Sequence, residues 1–591
     1  MDATSTDSGG GNDAAPYDAG SDASGVVSCT GSASITGAWP LSAGLTPSAV
    51  GTDATGNVYV AGTLKGTASW GTTMVTATGN VDFFLGKMDA TGHPLWIQHY
   101  GSTNTYNEFG PLISVDAAGD VFLAGFFSGS LSFGGTASTI TAISVDAFTA
   151  RVSTAGVGVW ADHFGYDQGP YAVTSIALDA HGDVMIGGTA GGTIVIGNQT
   201  WTAPDPVASG DSQAFIAKIY ATDGVVAWSN ASGGDLVCDS ALVTVDSAGR
   251  SALAMRVQKG SRAWGVVPVW DGGGSSEQRV GFDVNGTARW SHFDYGGYPQ
   301  SASTDEAGRI SLVVNTFGAW STDGASLPDV GEASISVLFD PNDGEFLSAG
   351  ESTPTFPWTG TTGANGFSFA TGQFQGSPGR FGNITIPSPG SYALYVAELD
   401  PTSHFVSAIG LGGGNTQPTA ITVGPSGNVL VAGTTQAAFT TPAGSVPIGG
   451  FVVQITPPVC ATDLGPPVPQ GDGSPGDLLD GAAPEPDAGM PATCPSTQTL
   501  ATNGAACPVD MGCAYGNTCC ICQPTPCGNK ATTWTCTALP AQPAACPATP
   551  PQPGEACSAG TDCTYCEPGG RFFANCTAGG WETGYAQVVC N

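Results

Sequence analysis

The feature that most constrains this chain is a turn that keeps coming back. An Asp-x-x-Gly turn is followed by alternating apolar residues that close on glycine. It occurs as Asp53-Ala-Thr-Gly56 before NVYVAG, as Asp116-Ala-Ala-Gly119 before DVFLAG, and as Asp179-Ala-His-Gly182 before DVMIGG. Weaker copies begin at Asp246 (to Gly249, then RSALAM), at Asp305 (to Gly308, then RISLVV) and at Gly363 (GANGFSFATG). A clear last copy begins at Gly424 and turns at Gly427 (GPSGNVLVAG). The seven copies lie roughly 58 to 67 residues apart. That period suits a four-stranded unit with variable loops.

Each unit has a second half, an apolar strand, a turn and a strand carrying tryptophan. DFFLGKMDATGHPLW ends at Trp96, DAFTARVSTAGVGVW at Trp160 and QAFIAKIYATDGVVAW at Trp228; the fourth copy ends at Trp290. The fifth and sixth lack this tryptophan and have Phe346 and Phe405 nearby. Each repeat therefore reads as strands A, B, C and D. A lone four-stranded sheet cannot bury both faces, whereas sheets stacked around an axis can. The expected fold is all-β, a seven-bladed β-propeller over residues 26–460. The seventh unit stops after its C strand, GGFVVQI at 449–455, and the stretch 34–44 with Trp39 supplies the matching D strand. An N-terminal strand closing the last blade removes two open sheet edges. Cys29 and Cys460 flank this closure, and a disulfide between them would take the place of a turn. Closing so long a loop is worth up to ~4–5 kcal/mol in the chain-entropy account.

These units resemble the bacterial propeller repeat called SBBP, which reads D-x-x-G-N-V-Y-V-x-G, then D-A-F-x-x-K, then a Trp or Tyr strand. Copies one to three and seven match best, and the likeness covers about residues 26–458. It implies the propeller fold and an envelope location, with no single activity to carry over. KMDATGHPLW is also similar to the tryptophan repeat of quinoprotein propellers. A quinone site there needs Ca²⁺ and charged ligands near the axis, and the vicinal pair Cys519–Cys520 lies outside the repeats.

Outside the propeller the composition changes twice. Residues 1–25 are polar, acidic and glycine-rich and read as a disordered tether. Residues 461–493 are a Pro/Gly/Asp linker. From residue 494 onward come fourteen cysteines, in two half-repeats. The first (494–545) holds Cys494, Cys507, Cys513, Cys519, Cys520, Cys522, Cys527 and Cys536; the second (546–591) holds Cys546, Cys557, Cys563, Cys566, Cys576 and Cys590. They resemble tandem Cys-rich repeats in exported proteins of gliding soil bacteria. Their even number implies a small disulfide-rich module in an oxidising compartment. Zinc is disfavoured, because no histidine follows His404. The expected location is extracellular or on the outer cell surface, with an export signal and possible lipid anchor upstream of this chain. No run of apolar residues is long enough to cross a membrane as a helix. The net charge of −34, from 14 basic and 48 acidic residues, argues against nucleic acid and anionic lipid as partners.

The motifs for chemistry are sparse. The Asp turns carry one carboxylate each, while a Ca²⁺ loop gathers several oxygen ligands. The Asp side chain more simply accepts its own turn's N–H groups, with glycine supplying the positive φ. No cofactor is expected, and Ca²⁺ is the one ion to weigh. No metalloprotease, nucleophile-elbow or phosphate-loop motif stands in a fitting context. Function is expected on the face opposite the Asp turns, made of D–A and B–C loops. Its candidate binding residues are Tyr106, Glu108, Tyr166, Asp167, Tyr171, Asp235, Tyr295, Tyr298 and Trp358. Aromatics beside polar groups suit a glycan, peptide or protein partner. The leading expectation is a non-enzymatic binding or adhesion protein. A hydrolase or lyase using carboxylates and tyrosines of that face is the alternative, and a structural envelope component the second.

Overall fold

The computed structural model describes residues 27, 29–101, 110–165, 171–202, 212–232, 238–257, 264, 276–322, 325–327, 333–387 and 391–460, and the backbone of six strands between 512 and 585. The chain divides into two compact units, Met1–Val468 and Pro469–Asn591. Among the described residues there is no helix.

The repeats form antiparallel sheets in chain order. The first joins Leu45–Thr52, Val58–Leu64, Asp82–Met88 and Pro94–Tyr100. The second joins Leu112–Val115, Val121–Leu131, Ile140–Val152 and Gly158–Phe164; the third joins Tyr171–Leu178, Val184–Ala190, Gln213–Ile219 and Val226–Ala231. The sixth repeat gives Phe356–Thr362, Ser368–Phe374, Ala393–Leu399 and Phe405–Leu411. The seventh gives Thr416–Val423, Val429–Thr435 and Gly449–Thr456, completed by Ser34–Pro40. The fourth and fifth repeats do not form separate sheets. They run together into one ten-stranded sheet, so five four-stranded sheets stand alone instead of the seven expected. The cause is local. Ala288–Thr304 pairs with Ser276–Phe282 through Tyr295, bends at Gly296 (φ +81°), and then pairs with Ile310–Thr322. A Cβ at residue 296 would lie 2.0 Å from the Ala319 carbonyl oxygen, so glycine is what permits a bend in place of a loop.

The A strands pack on one another in sequence. Leu45–Thr52 meets Leu112–Val115, then follow Tyr171–Leu178, Cys238–Val245, the second half of Ala288–Thr304, Phe356–Thr362 and Thr416–Val423, which returns to Leu45–Thr52. Hydroxyls join neighbours: Ser48 donates to the Pro111 carbonyl (2.8 Å), Thr174 to that of Ala241 (2.7 Å), and Ser303 pairs with Thr362 (2.8 Å). The sheets thus close on themselves as an all-β propeller. Ser34–Pro40 closes the ring, with Ile35 opposite Ile455 and Trp39 opposite Val452. Beside it Cys29–Thr30 pairs with Val459–Cys460, and Cys29 and Cys460 are disulfide-bonded across 431 residues of sequence.

Aromatic clamps set the spacing of the sheets. Trp96 donates its indole N–H to the Thr154 carbonyl in the next repeat's C–D turn (3.2 Å). Trp160, Trp228 and Trp290 do the same to Ala221, Val284 and Pro341. Each indole lies over the turn's glycine: Gly156 for Trp96, Gly224 for Trp160, Gly286 for Trp228 and Gly344 for Trp290. A Cβ on Gly156 would come within 2.9 Å of the Trp96 ring, on a backbone at φ +76°. Gly156→Ala is therefore expected to destabilise the propeller by about 1–3 kcal/mol, measured as a lowered denaturant midpoint against wild type. An unchanged midpoint would mean that the clamp yields freely.

The B–C connections differ from the open loops expected. In several repeats they fold as short hairpins, such as Thr67–Trp70 with Thr73–Thr76 and Thr193–Ile196 with Gln199–Thr202. One side of each is apolar and wedges into the core between sheets, through Ala68 and Trp70 in one and Ile194 and Ile196 in the other. Burial of these side chains anchors the hairpins on the sheets, while their other side, with Met74 exposed, faces solvent.

The second unit carries two three-stranded sheets. Gly512–Tyr515, Thr518–Thr525 and Asn529–Ala538 form one, in the first Cys-rich half-repeat. Asp562–Glu567, Gly570–Thr577 and Gly580–Tyr585 form the other, in the second. The pairing of its cysteines lies outside the described side chains.

Candidate functional site

Of the nine residues expected on the loop face, Tyr106, Glu108, Tyr166, Asp167 and Asp235 lie outside the described residues, and Tyr171 is described in backbone only. Tyr295 and Trp358 are exposed. Tyr298 is half-buried, with the Arg256 guanidinium 3.9 Å from its ring centre. Ser303 meets Thr362 on the adjoining A strand. The face thus shows aromatics on two neighbouring inner strands, Ala288–Thr304 and Phe356–Thr362, with the buried acids Glu277 and Asp294 paired across the strands next to Tyr295.

The Asp turns on the other face are held by their own hydrogen bonds. Asp53 accepts the N–H groups of Thr55 and Asn57 on Oδ1, and the Asn57 amide and Tyr59 hydroxyl on Oδ2. Burial pushes its pKa up, but these bonds outweigh it and hold the carboxyl down at about 2. Asp179 and Asp246 accept N–H groups in the same places, and Asp116 and Asp305 accept the one four residues on. Gly56, Gly119, Gly182, Gly249, Gly308 and Gly427 all turn at φ between +79° and +90°. Among the described residues no three His, Cys, Asp or Glu side chains gather as a metal site.

A cation partners each of these acidic turns. In the first three repeats it comes from the C strand: Lys87 lies 3.4 Å from Asp53, Arg151 is 2.6 Å from Asp120, and Lys218 is 2.8 Å from Asp179. In the fourth and fifth that C-strand position holds Gly281 and Leu338, and the cation moves into the turn, as Arg250 on Asp246 and Arg309 on Asp305 (both 2.7 Å).

The sixth repeat breaks the pattern. Its turn, Gly363-Ala364-Asn365-Gly366, has no carboxylate, and its C-strand position holds Glu398. Opposite Glu398, where a clamp tryptophan would stand, is Ser407. The seventh repeat has no C–D turn to be clamped, because residues 457–460 lead to the disulfide instead. A cavity of about 690 Å³ opens here, between the sixth and seventh repeats on the Asp-turn face. Its walls include Thr362, Asn365, Phe369, Val423, Asn428 and Pro457, with Glu398 inside. Glu398 is only 5% exposed, its Oε2 has no hydrogen-bond partner, and burial raises its pKa to about 7. The cavity thus lies on the face opposite the one expected to carry function. Position-by-position alignment of the C strands, Lys87, Arg151 and Lys218 against Glu398, was the sequence signal that would have found it.

Two other buried acids lack this setting. Glu277 is fully buried, and burial with the neighbouring Asp294 holds its pKa well above the usual carboxylate range. Asp294 is bound through both oxygens by Arg279 (2.7 and 2.9 Å), which also donates to Gly344 and Thr322. Glu351 is raised by burial alone. Neither Glu277 nor Glu351 lines the cavity.

No known protein family matches this sequence, and no curated protein matches it. Solved structures do resemble the fold. A quinohemoprotein alcohol dehydrogenase from Comamonas testosteroni is 11% identical, covering 76% of this chain and 79% of its own, with a TM-score of 0.33. The Dos1 propeller is 7% identical over 72% of this chain and 95% of its own, at 0.35. An ulvan lyase, from a polysaccharide lyase family, is 12% identical over 71% and 96%, at 0.36. Likenesses this remote carry no argument about activity, and the propeller rests on its own sheets.

Proposed function

We propose that this chain is a binding protein working outside the cell, with no catalytic step of its own. The observation that carries the reading is the cavity between the sixth and seventh repeats, whose one ionisable lining group is Glu398. Glycosidic cleavage uses two carboxyl groups roughly 5–10 Å apart. A nucleophilic mechanism sets a base beside the nucleophile. Among the described residues lining the cavity Glu398 has neither companion, so it can hold a ligand through a hydrogen bond but has no partner there for proton relay. A concave site of this size, with a single ionisable group among neutral polar and apolar side chains, fits recognition. The exposed Tyr295 and Trp358 on the other face offer a second surface, suited to a glycan or peptide.

The propeller is read as seven-bladed. Ala288–Thr304 serves as the outer strand of one blade and the inner strand of the next, so the ten-stranded sheet counts as two. The sequential packing of the A strands supports that count. Kinship with SBBP repeats rests on the repeat motif, and location outside the cell on the Cys29–Cys460 bond and the fourteen cysteines that follow.

The test is incubation of the exported protein with polysaccharide, peptide and small-molecule panels. Retention is read by thermal shift and conversion by mass spectrometry. Retention without conversion is expected. A product that forms with wild type and not with Glu398→Gln would overturn the reading.

A further inference from the structure

We propose that the cavity binds a small organic monoamine, whose ammonium group pairs with Glu398 and whose apolar body lies against Phe369, Val423 and Pro457. This rests on the reading of the cavity as a binding site.

The repeats themselves say what is missing. In the first two, one cation sits between the acidic turn of its own sheet and the C–D turn of the next, and in the third Lys218 pairs with Asp179 and Asp183 of its own turn. Lys87 reaches Asp53 and donates to Thr154 at 3.0 Å; Arg151 reaches Asp120 and donates to the Ala221 carbonyl at 2.8 Å. In the sixth repeat the charge is reversed and halved. The carboxyl is on the strand, the turn is neutral, the next C–D turn is absent, and a cavity occupies the place of the partner. Glu398 is one half of an ion pair, and its complement is a cation.

Among the described residues packed around Glu398, none supplies one. Glu398 packs among Phe356–Thr362, Ser368–Phe374, Phe405–Leu411, Thr416–Val423, Val429–Thr435 and Gly449–Thr456, and none of these strands carries an Asp, Glu, Lys, Arg or His. Residues 457–460 carry none either. Asp400 and His404, on the following turn, are engaged with each other and with Thr402, and Asp400 also accepts the Val27 N–H. Arg309 is engaged by Asp305 and the Pro401 carbonyl, with its guanidinium against Gly366 of the sixth turn. A divalent metal ion wants several anionic oxygens, and one carboxyl does not provide them. One ammonium matches one carboxylate, and Phe369, Val423 and Pro457 among the lining residues offer apolar surface to an organic body. The net charge of −34 favours the approach of a cation.

Binding then ionises Glu398 and releases its proton. Affinity is expected to rise with pH and level off above about 7. The probes are benzylamine, which is cationic over the range used, and benzyl alcohol, its neutral counterpart. Both are titrated calorimetrically into the full chain at pH 5.5 and 8. Benzylamine is expected to bind, about thirtyfold more tightly at the higher pH. In Glu398→Gln, an isosteric change, the affinity at pH 8 should fall at least about tenfold and the pH dependence should vanish. Benzyl alcohol bound as tightly as benzylamine, with Glu398→Gln indistinguishable from wild type, would overturn the ammonium assignment and leave the cavity a binding site. Failure of both probes to bind would overturn both.

Discussion

Replacing Cys29 and Cys460 together by alanine is expected to lower unfolding stability by up to about 5 kcal/mol. The bond closes a loop of 431 residues, and loop-closure entropy grows slowly but steadily with length. Its position adds to the effect. The seventh sheet is closed by Ser34–Pro40 from the far end of the chain, so no covalent turn joins that strand to Gly449–Thr456. Without the bond, the first event on unfolding is expected to be release of the N-terminal strand. That exposes Gly449–Thr456 as an open edge and withdraws Trp39 from the core beside it. Guanidinium unfolding followed by tryptophan fluorescence measures this, with the double alanine variant preferred to reductant because reductant also reaches the fourteen C-terminal cysteines. A broadened or two-step transition is expected along with the lower midpoint. A shift below about 1 kcal/mol would show that strand pairing and core packing close the ring unaided.

The second large effect concerns pH. Glu398 has an ordinary value of 4.5 in the unfolded chain and about 7 in the fold, because burial penalises its charged form. Between those values the folded protein holds a proton that the unfolded chain has lost. Stability from this group is therefore full below about 4.5, declines as pH rises toward 7, and is flat beyond. The shift corresponds to about 3 kcal/mol. Glu398→Gln is expected to match wild type near pH 4.5 and to exceed it by up to about 3 kcal/mol at pH 8. Paired denaturation curves at the two pH values measure it. A variant equally displaced from wild type at both would mean that Glu398 does not titrate in this window.

Much of the fold was legible in the sequence because it is written there as a repeat. The Asp turns, the tryptophan strands and the unpaired end at 449–455 led to stacked sheets closed by an N-terminal strand. Two features were not legible. The fusion of the fourth and fifth repeats depends on how Tyr295-Gly296-Gly297 bends, and a pair of glycines reads equally well as a loop. The folding of B–C connections into hairpins depends on Trp70 and Ile194 finding apolar gaps between sheets, which is decided by tertiary packing. The cavity was not read from the sequence for a different reason. Exposed aromatics draw attention to a loop face, whereas Glu398 sits in ALYVAEL, a strand with nothing unusual by itself. Its meaning comes from what its counterparts Lys87, Arg151 and Lys218 do in three dimensions. At the neighbouring junction, Ser348 takes the clamp position and bonds Ser403, which stands at the turn glycine's place with φ +65° (Oγ–Oγ 2.9 Å). There the two changes compensate each other. At Glu398 and Ser407 no such partner is present, and the cavity results.

The most direct measurement is the number of protons released when benzylamine is titrated into the protein at pH 6, obtained from binding enthalpies in two buffers of different ionisation enthalpy. Release of about one proton per amine bound is expected, since Glu398 is largely protonated at that pH and ionises as the ammonium seats beside it. Binding with no proton released would contradict the pairing of the amine with Glu398.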